Sequence, residues 1–220
     1  MMRLVVLLIA ALLLLGGCTK DGKNITVRGR VYNPVTGEGI SDCEIRLLKT
    51  TSGSPGTSGG YKTVATIVPD AEGYYELNHT SIFGRYVGCF LDENEYEHAG
   101  WIKDGVLIGA TKEKVKLGSI TDLDYTAIKL GQLLVNFDNI NCEGASDEMQ
   151  FRFKTHLETE YSFWSPVLSG CYSFTASSPG KVPMGYRYYE TKVVRSSGTY
   201  YVYDTVYIPE TGVAQIDIHY

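Results

Sequence analysis

The chain reads as all-β: a β-sandwich followed by a second β-sandwich-like domain. Three observations predict this. Beyond residue 18, apolar residues recur at every second position and not at helical spacing. The alternating runs are short and separated by clusters of Gly, Asn, Asp, Ser and Pro, the punctuation of a sandwich or barrel. The composition sets 17 Tyr and 24 Gly against 4 Met, and aromatic residues suit a pleated, half-buried surface.

The first twenty residues follow other rules. Met1-Met2-Arg3 and the apolar run 4–15 form the pattern of a secretory signal. As a helix the run spans about 18 Å, well short of a hydrocarbon core about 30 Å thick. Leu15-Gly16-Gly17-Cys18 resembles the lipobox of bacterial lipoproteins. The resemblance implies a signal peptide 1–17, cleavage before Cys18, and acyl chains on the thiol and new amino group of Cys18. Residues 18–23 then form a lipidated tether. Each buried CH₂ contributes about 0.8 kcal/mol, so two or three chains hold a protein firmly on a bilayer. Thr19 stands where an Asp would mark inner-membrane retention, which implies the outer membrane. Lys20-Asp21 loosely resembles the charged tag of surface-exposed Bacteroidota lipoproteins. Cell surface and periplasmic face both stay open.

The net charge is −5, one unit more negative once Arg3 is removed. No Lys/Arg cluster offsets it. Nucleic acid is therefore a poor partner, because its binding rests on neutralising phosphates. Of five cysteines, assigning Cys18 to lipid leaves Cys43, Cys89, Cys142 and Cys171. Outside the cytoplasm an even remainder points to disulfides. Three connectivities exist, and sequence order favours Cys43–Cys89 and Cys142–Cys171. Free buried thiols are the competing reading. No CxxC or His-x-x-x-His spacing offers a zinc site.

In the first half, strands are expected at 25–32, 43–48, 61–68, 74–77, 85–91, 106–109, 115–117 and 125–130. Asn33-Pro34-Val35-Thr36-Gly37 is a turn rich in breakers. Residues 50–60 form an exposed Ser/Gly/Pro loop.

Two stretches in this half carry a further resemblance. Val27-Arg28-Gly29-Arg30-Val31-Tyr32-Asn33-Pro34-Val35-Thr36-Gly37-Glu38-Gly39-Ile40 resembles the opening of the carboxypeptidase-regulatory-like, or transthyretin-like (prealbumin-like), domain. Gly39 stands where that family usually has Pro. Asp70-Ala71-Glu72-Gly73-Tyr74-Tyr75-Glu76-Leu77 matches its next motif, and Gly84-Arg85-Tyr86-Val87 resembles the strand after it. The likeness covers about residues 24–92. It implies a seven-stranded β-sandwich, extended here to 24–130, and an accessory or surface module without catalytic residues.

The second half, 131–220, carries no such likeness. Strands are expected at 132–138, 149–155, 171–176 and 213–219; a single elongated sandwich remains the alternative architecture. Residues 149–155 set Met149, Phe151 and Phe153 on one face and Gln150, Arg152 and Lys154 on the other. The clearest local feature is a hairpin, 186–195 and 199–208, around Ser196-Ser197-Gly198. With a Ser197-Gly198 loop, one face carries Tyr188, Glu190, Lys192, Val194, Tyr201, Tyr203, Thr205 and Tyr207. The opposite face, with Tyr189, Thr191, Val193, Val202, Asp204 and Val206, reads as the core side. A one-residue slip would exchange the faces.

No Gly-x-Ser-x-Gly, His-Glu-x-x-His or phosphate-cradling Gly loop is present, so no catalytic residue, cofactor or metal site is nominated. The acidic stretch Asp92-Glu93-Asn94-Glu95-Tyr96-Glu97-His98 offers oxygen ligands but lacks the calcium-loop spacing and its Gly. It reads as a solvated loop. A Tyr strip with charges among the rings suits stacking on sugars or docking a protein. The candidate ligand face is Tyr188, Tyr201, Tyr203, Tyr207 and Lys192, with Trp101 added. Trp164 sits in a loop and reads as a core cap.

The expectation is thus a non-catalytic outer-membrane or cell-surface lipoprotein. It is held to the membrane through Cys18 and binds a glycan or a partner protein, such as an outer-membrane protein. A structural or assembly subunit of an envelope complex, or a hydrolase with an unrecognised carboxylate pair, are the alternatives.

Overall fold

The structure is a computed structural model and describes residues 22–52, 59–109 and 111–220. The signal, the lipobox with Cys18, and most of the Ser/Gly/Pro loop lie outside the described residues. Within them every regular element is a strand, and no helix is long and apolar enough to cross a membrane. The chain is all-β, as its alternation predicts.

Nine strands come from the first half: β1 (Lys23–Tyr32), β2 (Glu44–Thr50), β3 (Tyr61–Ile67), β4 (Tyr74–Ser81), β5 (Arg85–Phe90), β6 (Tyr96–Lys103), β7 (Val106–Leu107), β8 (Lys112–Val115) and β9 (Ser119–Asp122). They build two facing sheets. One runs β4-β1-β10-β6-β7, where β10 (Asp124–Asp138) follows β9, and β9 lies parallel to β1. The other runs β3-β2-β5-β8. Alternate residues of each strand meet between them: Ile25, Val27 and Val31 from β1, Ile45 and Leu47 from β2, Val87 from β5 and Tyr125 from β10. Burying each such side chain contributes about 1.5–3 kcal/mol.

Two turns lock the end of this sandwich. The Asp70 carboxylate accepts hydrogen bonds from the backbone N–H groups of Glu72 (3.1 Å) and Tyr74 (2.7 Å), and Gly73 takes a left-handed φ of 86°. Gly39 packs directly on this turn. A Cβ at Gly39 would lie 2.1 Å from the Glu72 backbone, and one at Gly73 would lie 2.1 Å from the Val31 carbonyl oxygen. Backbone therefore touches backbone, and neither position 39 nor position 73 has room for a side chain.

Two expectations are corrected in this half. Cys43 and Cys89 are two buried free thiols and not a bridge. Cys89 stands opposite Ile45 in the β2/β5 ladder, so Cys43 is its diagonal neighbour on the same face. Diagonal Cβ atoms stand roughly 7–8 Å apart or somewhat less, whereas a disulfide needs about 3.8 Å. The Cys43 thiol donates to the Ile40 carbonyl at 3.7 Å instead, and the neighbouring Cys43 thiol together with burial pushes the Cys89 thiol up. Trp101, placed on the ligand face from its loop-like context, is fully buried in the first core, its ring edge-on to Tyr125 at 4.7 Å. It sits within β6 opposite Tyr125, and a bulge in the β6/β10 ladder between Thr126 and Ala127 brings it to the same core face as Tyr96.

β10 runs unbroken through both cores. Tyr125 and Ala127 end the first hydrophobic cluster, and Leu133 and Phe137 open the second. The remaining strands are β11 (Glu148–Thr155), β12 (Leu168–Ser169), β13 (Gly180–Pro183), β14 (Gly185–Arg195), β15 (Gly198–Ile208) and β16 (Val213–His219). The second half of β10 lies between β13 and β16. Facing this layer is the sheet β12-β11-β14-β15. Met149, Tyr189, Val193, Ile208, Ile216 and Ile218 fill the space between.

Cys142 and Cys171 form a disulfide with a Cα–Cα distance of 5.3 Å. The bridge anchors the loop that holds the hairpin tip. Glu143 accepts hydrogen bonds from the hydroxyls of Ser196 and Ser197 and from the Ser197 backbone N–H. Asp147 pairs with Arg195 at 3.5 Å, both side chains buried.

Candidate ligand face

The outer surface of the β11-β14-β15 sheet collects what alternation puts there. Gln150, Arg152 and Lys154 of β11 stand opposite Lys192, Glu190 and Tyr188 of β14. Those in turn face Tyr201, Tyr203 and Thr205 of β15. The hairpin turn is Ser196-Ser197, with Arg195 opposite Gly198, so cross-strand partners differ by two residues from those expected for a Ser197-Gly198 loop. A shift of two preserves the pleat. Tyr188, Lys192, Tyr201, Tyr203 and Tyr207 therefore share one face, while Tyr189, Thr191, Val193, Val202, Asp204 and Val206 share the core side.

A segment after β11 then folds over this face. The N–H groups of Ser162 and Ser165 donate to the carbonyls of Phe153 and Phe151, both at 2.8 Å. The two serine hydroxyls accept from the N–H groups of the same phenylalanines, at 3.1 and 3.0 Å. Pairing with the free edge of β11 carries Tyr161 and Trp164 onto the sheet. Trp164 therefore lies on the outer face and does not cap the core. Its ring centre is 4.4 Å from the Arg152 guanidinium and 6.5 Å from the Tyr201 ring. Tyr161 takes Arg152 and Lys154 over its ring, each at 5.0 Å. Phe163, between them, is 98% exposed.

The middle of the strip is polar. Arg152 reaches Glu190 at 2.6 Å, and the Tyr203 hydroxyl donates to Glu190 at 3.2 Å. Local desolvation, and then the facing Glu190 carboxylate, push the Tyr203 phenol above its ordinary value. Beyond this pair, Tyr186 lies edge-on to Tyr207 at 5.0 Å and stacks with Tyr188 at 6.5 Å. Tyr203 is 65% exposed, and Tyr201 and Tyr207 are about half exposed. At about 3.4 Å per residue, the strip from Tyr201 to Tyr207 is roughly 20 Å long.

Tyr161, Trp164, Arg152 and Tyr186 complete the site and were not nominated from sequence. Arg152 was legible as an outward residue of β11. The position of the 156–167 segment was not, because it depends on pairing with that strand's edge. Elsewhere, the acidic stretch turns at 92–95 and then enters β6 at Tyr96, which is buried in the first core: the Asp92 carboxylate accepts from Asn94, which holds it below its usual range. His98 bonds to the Tyr125 hydroxyl at 2.6 Å. Among the described residues, no group of three or more His, Cys, Asp or Glu is placed to hold a metal.

No family model matches the chain, and no curated protein matches it. Some solved structures do. A DUF3823 family protein from Bacteroides uniformis aligns over 86% of this chain and 100% of its own, at 14% identity and a TM-score of 0.29. The shaft pilin SpaA from Lactobacillus rhamnosus GG aligns over 90% and 97%, at 7% identity and a TM-score of 0.32. A minor pilin of Streptococcus agalactiae aligns over 90% and 94%, at 10% identity and a TM-score of 0.30. Likenesses this distant carry no functional argument to this chain.

Proposed function

We propose that this chain is a non-catalytic, lipid-anchored envelope protein that presents the outer face of its β12-β11-β14-β15 sheet to a glycan. The supporting observation is the strip itself. Exposed aromatic rings flank a fixed Arg152–Glu190–Tyr203 polar centre on a surface that the core does not use. Ring faces stack on the apolar faces of sugars, and the polar centre supplies donors and acceptors to their hydroxyls. The signal-like N-terminus and the lipobox at Cys18 support the anchor at the outer membrane. The likeness of residues 24–92 to carboxypeptidase-regulatory-like domains supports an accessory role for the first sandwich.

A glycan array followed by titration calorimetry tests the ligand. Binding is expected to fall at least ten-fold on Tyr203→Ala and on Tyr201→Ala, with thermal unfolding unchanged. An array with no hits, or binding indifferent to both substitutions, rejects the glycan. Copurification with an outer-membrane protein, lost with the same substitutions, would instead assign the face to a protein partner. For the anchor, mass spectrometry of the N-terminal peptide is expected to find acylated Cys18, absent in Cys18→Ala. External proteolysis of intact cells separates surface from periplasmic exposure.

A further inference from the structure

A cavity of about 450 Å³ opens between the outer face of β6 and β10 and the segments around Pro34, 155–158 and Pro183. That volume lies within the roughly 300–1,000 Å³ of small-ligand sites, which favour such junctions. Its origin is in the strand alternation. Tyr125 and Ala127 point into the first core, so Thr126 and Ile128 point away from it. Both are nonetheless buried, because Pro34, the 155–158 segment and Pro183 close over them. The closure is incomplete, and the cavity is the space it leaves.

The walls define a chemistry. Ala99, Ile102, Leu107, Ile128 and Leu157 supply aliphatic surface. Glu97 and Glu158 supply two carboxylates, and among the described residues no Lys or Arg lines the space. Glu97 stands directly opposite Ile128 across the β6/β10 ladder, so it rises from the same face, and it is exposed. Glu158 is held by the Thr155 N–H at 2.7 Å and the Thr155 hydroxyl at 3.0 Å. Two carboxylates without a counter-charge repel anions and attract cations. Among the described residues no aromatic ring lines the cavity, so a quaternary ammonium finds no cage. A primary ammonium, with three N–H donors, matches carboxylate acceptors.

We propose that this junction cavity binds a small aliphatic primary amine. Its chain lies against Ile128, Leu107 and Leu157, and its ammonium group meets Glu97 at the mouth. None of these residues belongs to the tyrosine face, so this site and the glycan site stand or fall separately.

Titration calorimetry of the chain at low salt tests it, with n-octylammonium as probe, below its micelle-forming concentration. Octanesulfonate and octyltrimethylammonium are the controls. Octylammonium is expected to bind saturably with one-to-one stoichiometry, and both controls at least ten-fold more weakly. Glu97→Gln should weaken octylammonium roughly two- to five-fold, as expected for an exposed ion pair. Leu157→Arg, at a half-exposed position, should abolish binding while thermal unfolding stays unchanged. The proposal is overturned by an absence of saturable binding or by a control that binds equally well. A folded Leu157→Arg variant that still binds overturns it too.

Discussion

Arg152 donates to Glu190 at 2.6 Å across the β11/β14 ladder, on the sheet face that looks away from the core. The Glu190 side chain is only 8% exposed there, whereas that of Arg152 is 31% exposed. A carboxylate so enclosed needs a partner, because stranding a buried charge costs more than its pair contributes.

Arg152→Ala should therefore destabilise the protein by about 2–4 kcal/mol, somewhat below the range for a fully buried pair because Arg152 keeps some solvent. Arg152→Ala combined with Glu190→Gln should cost less than the sum of the two single changes. Urea unfolding of the three variants measures both. Additive losses would mean that the pair is not coupled.

The two tryptophans report on different places. Trp101 is fully buried and Trp164 lies half-buried on the outer face. Acrylamide should quench Trp164 readily and leave Trp101 shielded. In Trp101→Phe, a ligand on the tyrosine strip should alter the remaining fluorescence; in Trp164→Phe it should not. Equal quenching of both single-tryptophan variants contradicts this placement.

Cys142 and Cys171 are 29 residues apart. By the loop-entropy relation, losing the bridge costs about 3–4 kcal/mol. It also frees the loop through which Glu143 grips Ser196 and Ser197, so Cys142→Ser should speed amide exchange at the hairpin tip. In the native protein, alkylation should spare Cys43 and Cys89 until denaturant is added, since both thiols are buried. Rapid native labelling of either would contradict the packing of the first core.

Asp204 points from β15 toward the core side, and its Oδ2 is buried without a hydrogen-bond partner among the described residues. Burial raises its carboxyl above the ordinary value, with His219 acting weakly the other way. A raised folded pKa means that the native state holds the proton more tightly than the unfolded chain. The contribution is then fully present below the unfolded pKa near 3.8 and is lost as pH rises through the folded pKa. Asp204→Asn should therefore raise the urea midpoint at pH 7, with the gain shrinking towards pH 3.5. A variant less stable than the parent at pH 7 would show that the carboxylate is favourably held.

Much of this architecture was legible in the chain. Met149, Phe151 and Phe153 turn inward and Gln150, Arg152 and Lys154 turn outward because a strand has period two. Tyr188, Tyr201, Tyr203 and Tyr207 share one side of the sheet although the hairpin turn sits one residue earlier than expected, since the cross-strand partners changed by two. The Cys142–Cys171 bridge followed the favoured sequence-order pairing. The Cys43–Cys89 bridge did not, because whether two cysteines face each other or lie diagonally depends on the register between β2 and β5.

The sequence by itself determined the all-β class, the residues on each side of the 186–208 hairpin, and the turn at 33–37. All of these rest on local alternation and on backbone conformations that neighbouring residues dictate. Tertiary structure decided the rest: Trp101 buried, Trp164 laid on the outer face, β10 threaded through two cores, and a cavity left between them. Each depends on contacts between segments far apart in the chain, whose register is set by which surfaces bury one another.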